Sequence, residues 1–194
     1  MEKQVLLDND TGILELLPGA EARFNPLDAP ILEQMNLRQE FIQLFGKKVA
    51  QPRLSRFYAD PGVEYVYSQT RFTGVGYIPF IEKLKRRMEE LTSGKFNSAL
   101  VNFYRNGHDS MGLHADDERE LGENPIIASV SYGETRLFRF VRNGFREKVG
   151  LNLEHGDVVV MRGALQHHWK HELPKQRKVE SPRMNITFRL IYPK

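Results

Sequence analysis

Five of the six histidines fall between His114 and His171, and the segment GLHADDERE sets His114 and Asp116 two residues apart. On an extended backbone, side chains two positions apart share a side, so an imidazole nitrogen and a carboxylate oxygen can converge on one ion. A third ligand must come from a distant strand, and His155, His167, His168 and His171 are the candidates. Two histidines and one carboxylate on one face of an octahedral metal leave three positions open, which is the site of non-haem Fe(II) oxygenases. The chain has no cysteine. That excludes a thiolate metal site, a disulfide framework and a cysteine nucleophile, leaving nitrogen and oxygen ligands.

An isolated His-x-Asp pair is common by chance, and the C-terminal tail is what gives it weight. In SPRMNITFRLIY, Arg183, Asn185, Thr187 and Arg189 alternate with Met184, Ile186, Phe188 and Leu190. As a strand, this segment has one wholly polar face with two guanidinium groups and one wholly apolar face. Asn102 and Tyr104 form a second polar pair at the same period, opposite Val101 and Phe103. Arginine forks with neutral donors beside them suit a small dicarboxylate, so the polar face is expected to line an interior site.

The elements that must position these groups are mostly short strands. SALVNFY, PIIASVSYG, TRLFRFV, KVGLNL, DVVVM and RMNITFRLIY are rich in β-branched and aromatic residues and are divided by Gly, Asn and Pro turns. They predict an antiparallel sandwich or barrel with helices packed outside. The clearest helix is IPFIEKLKRRMEELTSG, started by Pro79, buried along Ile81, Leu84, Met88 and Leu91, and ended by Gly94. A second helix is expected from about Pro30 to Leu44, with Asp28 or Ala29 near its cap and Gly46 as its stop. LFGKKVAQPRLSRFYADPG reads as a loop or hairpin outside the core, and EYVYSQTRF as a strand. Trp169 is expected in the core, and His108 and His155 in turns. The series Arg136, Arg139, Arg142 and Arg146 is read as a solvated strand face or a set of phosphate contacts.

The 194 residues suit one domain with a substantial core. Nothing approaches a run of eighteen apolar residues, and the N-terminus is too acidic for a signal peptide, so a soluble, intracellular protein without membrane association is expected. The net charge of +3 hides an asymmetry: residues 1 to 40 hold eight acids and three bases, leaving an excess of +8 beyond them. That excess suits a polyanionic partner. Lys47, Lys48, Arg53, Arg56 and the bases from Arg136 to Lys148 and Lys170 to Lys178 are the groups expected to meet phosphates.

NFY, HADDERE, HHWKHELP and PRMNITFR, in that order, resemble the AlkB family of Fe(II)- and 2-oxoglutarate-dependent dioxygenases. His171 precedes Arg183 by twelve residues and Arg183 precedes Arg189 by six, as in the family's ligand followed by RxNxTxR. The resemblance, placed at about residues 45 to 192, implies a mainly β fold with a double-stranded β-helix (jelly-roll, cupin-like) core. It implies metal ligands His114, Asp116 and His171, and a 2-oxoglutarate set of Asn102, Tyr104, Arg183, Asn185 and Arg189. Residues 1–194 then form a single catalytic domain. In it, 1–96 carry the helices and the nucleotide-recognition segment and 97–194 the jelly-roll with the iron site. The acidic first forty residues are assigned packing and no chemistry.

QPRLSRFYADPGVEYVYS is further similar to the base-recognition segment of the branch that repairs duplex DNA. There Tyr65 and Tyr67 would flank a flipped base, supported by Arg53, Tyr58 and Ser68, with Glu118 at the base edge and Phe45 filling the gap in the duplex. The implied reaction uses Fe(II), 2-oxoglutarate and O2 to demethylate 1-methyladenine and 3-methylcytosine, releasing formaldehyde, succinate and CO2. DNA is the implied partner, duplex before single strand, and a monomer is expected, in the cytoplasm if bacterial or the nucleus if eukaryotic. Rival readings are an RNA demethylase, a protein hydroxylase, or a jelly-roll that binds nucleic acid without turnover.

Overall fold

Every residue of the strand Arg183–Arg189 is buried, on both of its faces. Met184, Ile186 and Phe188 pack against helices on one side, while Arg183, Asn185, Thr187 and Arg189 line a cavity on the other. The computed structural model that shows this describes residues 2–44, 46–67 and 70–192.

The N-terminal part contains β1 (Gln4–Asn9), β2 (Gly12–Leu17), α1 (Ala29–Met35), β3 (Arg38–Leu44), β4 (Lys47–Ala59), β5 (Glu64–Tyr67), β6 (Thr70–Thr73) and α2 (Pro79–Thr92). After these come β7 (Ser98–Tyr104), β8 (Met111–His114), β9 (Ile127–Gly133), β10 (Arg136–Arg142), β11 (Lys148–Leu153) and β12 (Val158–Arg162). The short helix α3 (Leu165–His168), β13 (Trp169–Leu173) and β14 (Arg183–Arg189) complete the order. Eight strands form one sheet in the order β1-β2-β12-β9-β14-β7-β4-β3, four form a second in the order β11-β10-β13-β8, and β5-β6 is a separate hairpin. Pairing within the two larger sheets is antiparallel. The result is the expected jelly-roll with helices outside.

Two apolar clusters hold the layers. Ile81, Leu84 and Met88 of α2, all fully buried, press on Val101, Val130, Val160 and Ile186 of the large sheet. Each such side chain contributes about 1.5–3 kcal/mol relative to exposure. Between the sheets, Phe140, Leu151, Leu153, Val159 and Met161 pack around Trp169, whose Nε1 donates to Thr11 Oγ1 at 3.0 Å.

Several local expectations give way to the structure. The helix expected from Pro30 to Leu44 stops at Met35, because Asn36 takes the left-handed conformation at φ 47° and returns its N–H to Glu33 O. The residues beyond it form β3, and Gly46, at φ 76°, lies in the β3–β4 turn instead of closing a helix. The segment read as lying outside the core contains β4, a 13-residue strand that pairs with β7 and buries Phe57, Tyr58 and Ala59. EYVYSQTRF supplies the β5–β6 hairpin where a single strand was expected. Helix α2 is capped by Ser93 in the left-handed region, one residue before Gly94.

The charge map changes in the same way. Arg136 is fully buried and Arg53 is 5% exposed, so neither lies on a solvated face. Two acids of the N-terminal segment are buried and paired with partly exposed cations. Glu21, fully buried, accepts from Arg87 at 2.9 Å, and Glu15 accepts from Lys3 and Arg162 at 2.7 and 3.1 Å. Among the described residues, no helix is long and apolar enough to cross a membrane.

Candidate metal centre and cosubstrate cavity

His114 closes β8 and His171 stands directly opposite it on β13. Asp116 follows in the irregular segment after β8, where its backbone N–H donates to the buried Gln166 Oε1 at 2.9 Å. Ligand atoms of the three side chains lie within 4.8 Å of one another. Of the four histidines open as third ligand, His171 is the one brought here. His155 accepts from Gly133 N–H through Nδ1 and so donates through Nε2 to Phe24 O, and His167 bonds Glu123 O. His114 Nδ1 lies 2.8 Å from Gly112 O, and a carbonyl can only accept, so Nδ1 carries the proton and Nε2 the lone pair.

The electrostatics suit a divalent cation. Burial, reinforced by Arg189 and Arg53, pushes His114 down against the opposing pull of Asp116. Burial and the neighbouring His114 bring His171 down to about 3. Burial works against ionised Asp116, but Arg189, His171 and His114 outweigh it and hold the carboxyl at about 2. At neutral pH the cluster is two neutral imidazoles and a carboxylate, a deprotonated ligand set. His171 Nδ1 is buried with no hydrogen-bond partner among the described residues. The protein leaves that nitrogen's bonding capacity unused, which fits a ring whose position is completed by a bound group.

The cavity beside the triad is floored by alternating residues of adjacent strands. Arg183 sits opposite Tyr104 and Asn185 opposite Asn102 on β7, while on β9 Asn185 faces Ser131 and Thr187 faces Ser129. Arg183 Nη2 donates to Ser131 Oγ at 2.8 Å, and its guanidinium lies 5.6 Å from the Tyr104 ring centroid. Asn185 Nδ2 donates to Ser129 Oγ at 2.7 Å, and Thr187 Oγ1 donates to Asn185 Oδ1 at 2.9 Å. Burial lowers Arg183 to about 10, and no carboxylate pairs with it among the described residues. An interior guanidinium without an anion is costly, and a carboxylate ligand would relieve that cost. Arg189, which the sequence placed in the 2-oxoglutarate set, also lines the cavity and pairs with Asp116 at 2.8 Å.

Of the base-recognition residues, Arg53 lines the cavity and donates from Nε to Asn102 Oδ1 at 2.9 Å. Tyr58 is on the opposite face of β4, in the helix-facing core, with its hydroxyl donating to Met35 O at 2.9 Å. Glu118 precedes a 3-10 turn (Arg119–Leu121), half-buried and outside the cavity lining. Tyr65 and Tyr67 belong to β5, and Ser68 and Phe45 lie outside the described residues. The cavity also contains Gln51, Ser55, Leu100, Met111, Ser129, Phe138, Met161 and Leu173, none of which the sequence singled out. Ser129 and Ser131 had a usable signal, two hydroxyls at period two in a β-rich run.

Residues 17–189 match the family model of the 2OG-Fe(II) oxygenase superfamily, so the family likeness begins well before residue 45. The mouse (Mus musculus) alpha-ketoglutarate-dependent dioxygenase alkB homolog 3 is 39% identical over 176 residues, covering 86% of this chain and 59% of its own length. The mouse DNA oxidative demethylase ALKBH2 is 40% identical over 160 residues, covering 78% and 67%. A solved structure, that of OsALKBH1, is similar with a TM-score of 0.66 over 96% of this chain and 99% of the other, at 14% identity, a likeness of fold. The chain belongs to the 2OG-Fe(II) oxygenase superfamily, within its AlkB branch. It spans about three fifths of the length of the first of these relatives.

Proposed function

We propose that the chain is an Fe(II)- and 2-oxoglutarate-dependent dioxygenase that demethylates alkylated bases in DNA, 1-methyladenine and 3-methylcytosine foremost. The observation that carries this reading is the cluster of half-buried His114 with buried Asp116 and His171, lining one cavity with the carboxylate-free Arg183. A metal-ligand set and a carboxylate-free guanidinium in one cavity suit a short dicarboxylate. The two mouse relatives support the choice of reaction, since one is named a DNA oxidative demethylase.

In this reading the three ligands hold the iron, and Arg183, Tyr104 and Asn185 hold the distal carboxylate of 2-oxoglutarate. When bound, iron with 2-oxoglutarate and O2 supplies the oxidation that hydroxylates the N-methyl carbon, which leaves as formaldehyde while the cosubstrate leaves as succinate and CO2. Arg189 keeps Asp116 ionised and oriented, Gln166 fixes its backbone, and Gly112 fixes the His114 tautomer. Leu100, Met161, Phe138 and Leu173 keep the chamber apolar around these polar groups. Tyr65 and Tyr67 are proposed to flank the flipped base with Glu118 at its edge, Arg53, Tyr58 and Ser68 to support their segment, and Phe45 to fill the gap the base leaves. A base blocked on its pairing edge costs less to extrude, which aids selection of damage. Duplex DNA is the proposed preferred partner, the chain acting as a monomer inside the cell.

The test is turnover of methylated duplex DNA, single-stranded DNA, RNA and a peptide pool, with formaldehyde and succinate measured together. Stoichiometric release of both from methylated duplex is expected. Equal or faster rates on RNA would defeat the DNA assignment, and binding without release of either product would defeat the enzyme reading. Phe45→Ala is expected to slow duplex repair more than single-strand repair.

A further inference from the structure

Arg136 is the largest charged side chain sealed in the interior, fully buried at the start of β10. Among the described residues, all of its hydrogen bonds go to neutral oxygens from two loops. Nε donates to Gln176 Oε1 at 3.1 Å, Nη1 to Asn106 O at 3.2 Å, and Nη2 to Asp109 O at 3.1 Å and Pro174 O at 2.9 Å. The nearby Asp109 carboxylate is occupied by Arg105, which approaches it at 2.8 and 2.9 Å. Gln176 Oε1 also accepts from Leu137 N–H at 2.8 Å, so that amide ties its loop to β10 twice.

The same two loops are joined directly to each other. Gly107 N–H donates to Val179 O at 2.8 Å, and Gln176 N–H donates to Gly107 O at 2.9 Å. A Cβ on Gly107 would stand 1.9 Å from Gln176 O, so no other residue permits this approach. One loop runs between Tyr104 and Met111 and the other between Leu173 and Arg183, and all four of these end residues line the cavity. Fixing the two loops therefore fixes both chain ends that present Tyr104 and Arg183 to the cavity.

Burying a guanidinium costs several kcal/mol, and no carboxylate bonds it here: the charge of Asp109, already engaged by Arg105, offsets only part of that cost, so a merely apolar side chain would serve stability as well. What a planar five-donor fork provides, and an apolar residue does not, is a fixed geometry among several carbonyls at once. We propose that Arg136 is a positioning residue for the cosubstrate: through the joined loops 105–110 and 174–182 it holds Tyr104 and Arg183 in the arrangement that grips the distal carboxylate of 2-oxoglutarate. The proposal rests on reading the cavity as a 2-oxoglutarate site.

The experiment measures 2-oxoglutarate binding to the Mn(II)-loaded protein by calorimetry, together with hydrogen exchange of loops 105–110 and 174–182 in the metal-free chain. The variants are Arg136→Lys, Gln176→Ala and Gly107→Ala, the last two leaving Arg136 itself in place should Arg136→Lys fail to fold. Expected are a weakening of 2-oxoglutarate binding by roughly tenfold for Arg136→Lys and Gly107→Ala and a smaller loss for Gln176→Ala, with faster exchange in both loops and Mn(II) affinity unchanged. In turnover the KM for 2-oxoglutarate rises while kcat at saturating cosubstrate holds. Folded variants that bind 2-oxoglutarate as the wild type does overturn the inference and leave the proposed function standing. A wild-type protein that binds Mn(II) but not 2-oxoglutarate overturns both.

Discussion

Arg189 grips Asp116 from both sides of the carboxylate: its Nη2 lies 2.9 Å from Oδ1 and 2.8 Å from Oδ2, and its Nε 3.1 Å from Oδ2. Both groups are almost completely buried. The carboxylate proposed to ligate the metal is thus held by a fork at the end of the same strand whose start carries Arg183.

Replacing that fork with a single ammonium is expected to loosen the ligand. Arg189→Lys keeps the charge but cannot span both oxygens. Metal affinity should fall by about 10–100-fold, the usual cost of removing a partner behind a ligand. A Mn(II) titration followed by electron paramagnetic resonance checks this; an unchanged dissociation constant would show that Asp116 needs no orientation.

Removing the carboxylate instead should damage the fold as well as the site. Asp116→Ala leaves a buried guanidinium without its anion, at a cost of about 3–5 kcal/mol. Asp116→Asn keeps an acceptor for Arg189 and should lose less stability while also losing metal-dependent turnover. Urea unfolding of the two metal-free variants tests the ordering, and equal midpoints would contradict it.

Arg183 predicts the opposite balance. Among the described residues it has no carboxylate partner, and its Nε has no hydrogen-bond acceptor. Arg183→Met should leave the metal-free protein as stable as the wild type or more so. The thermal stabilisation that 2-oxoglutarate gives the Mn(II)-loaded wild type should disappear. A clear fall in Tm of the metal-free variant would mean that Arg183 is structurally satisfied after all.

Acid should act partly through Asp109. Burial disfavours its charge, yet the hydrogen bonds and charge of Arg105, and the charge of Arg136, hold its pKa below the ordinary value. A carboxyl depressed in the folded state contributes stability above its unfolded pKa of about 3.9, and loses it as pH falls through the folded value. Asp109→Asn should therefore flatten the decline of Tm at pH below about 4. Superimposable profiles for variant and wild type would remove Asp109 from the acid response.

The sequence made the chemistry legible where one strand carries it whole. Arg183, Asn185, Thr187 and Arg189 declare a polar face by their spacing alone, and His114 with Asp116 by theirs. It was silent where chemistry depends on pairing between distant strands. Nothing in the local sequence around Leu100 or Met161 shows that β7 and β12 bring them to the same chamber. Polar residues also misled in both directions. Basic residues and Pro52 made β4 look like an outer loop, although its alternate residues Gln51, Arg53 and Ser55 face the cavity. Arg136 looked like a member of a solvated arginine series, because no local pattern shows that four oxygens from two loops converge on it.

Trp169 has a practical consequence. It is the single tryptophan of the chain, sealed between the sheets and two residues along β13 from His171. All indole emission therefore comes from one ring in one apolar setting, close in the chain to a proposed metal ligand. The native chain contains its own optical reporter. Unfolding exposes that one ring and can be followed on its emission without attaching a label.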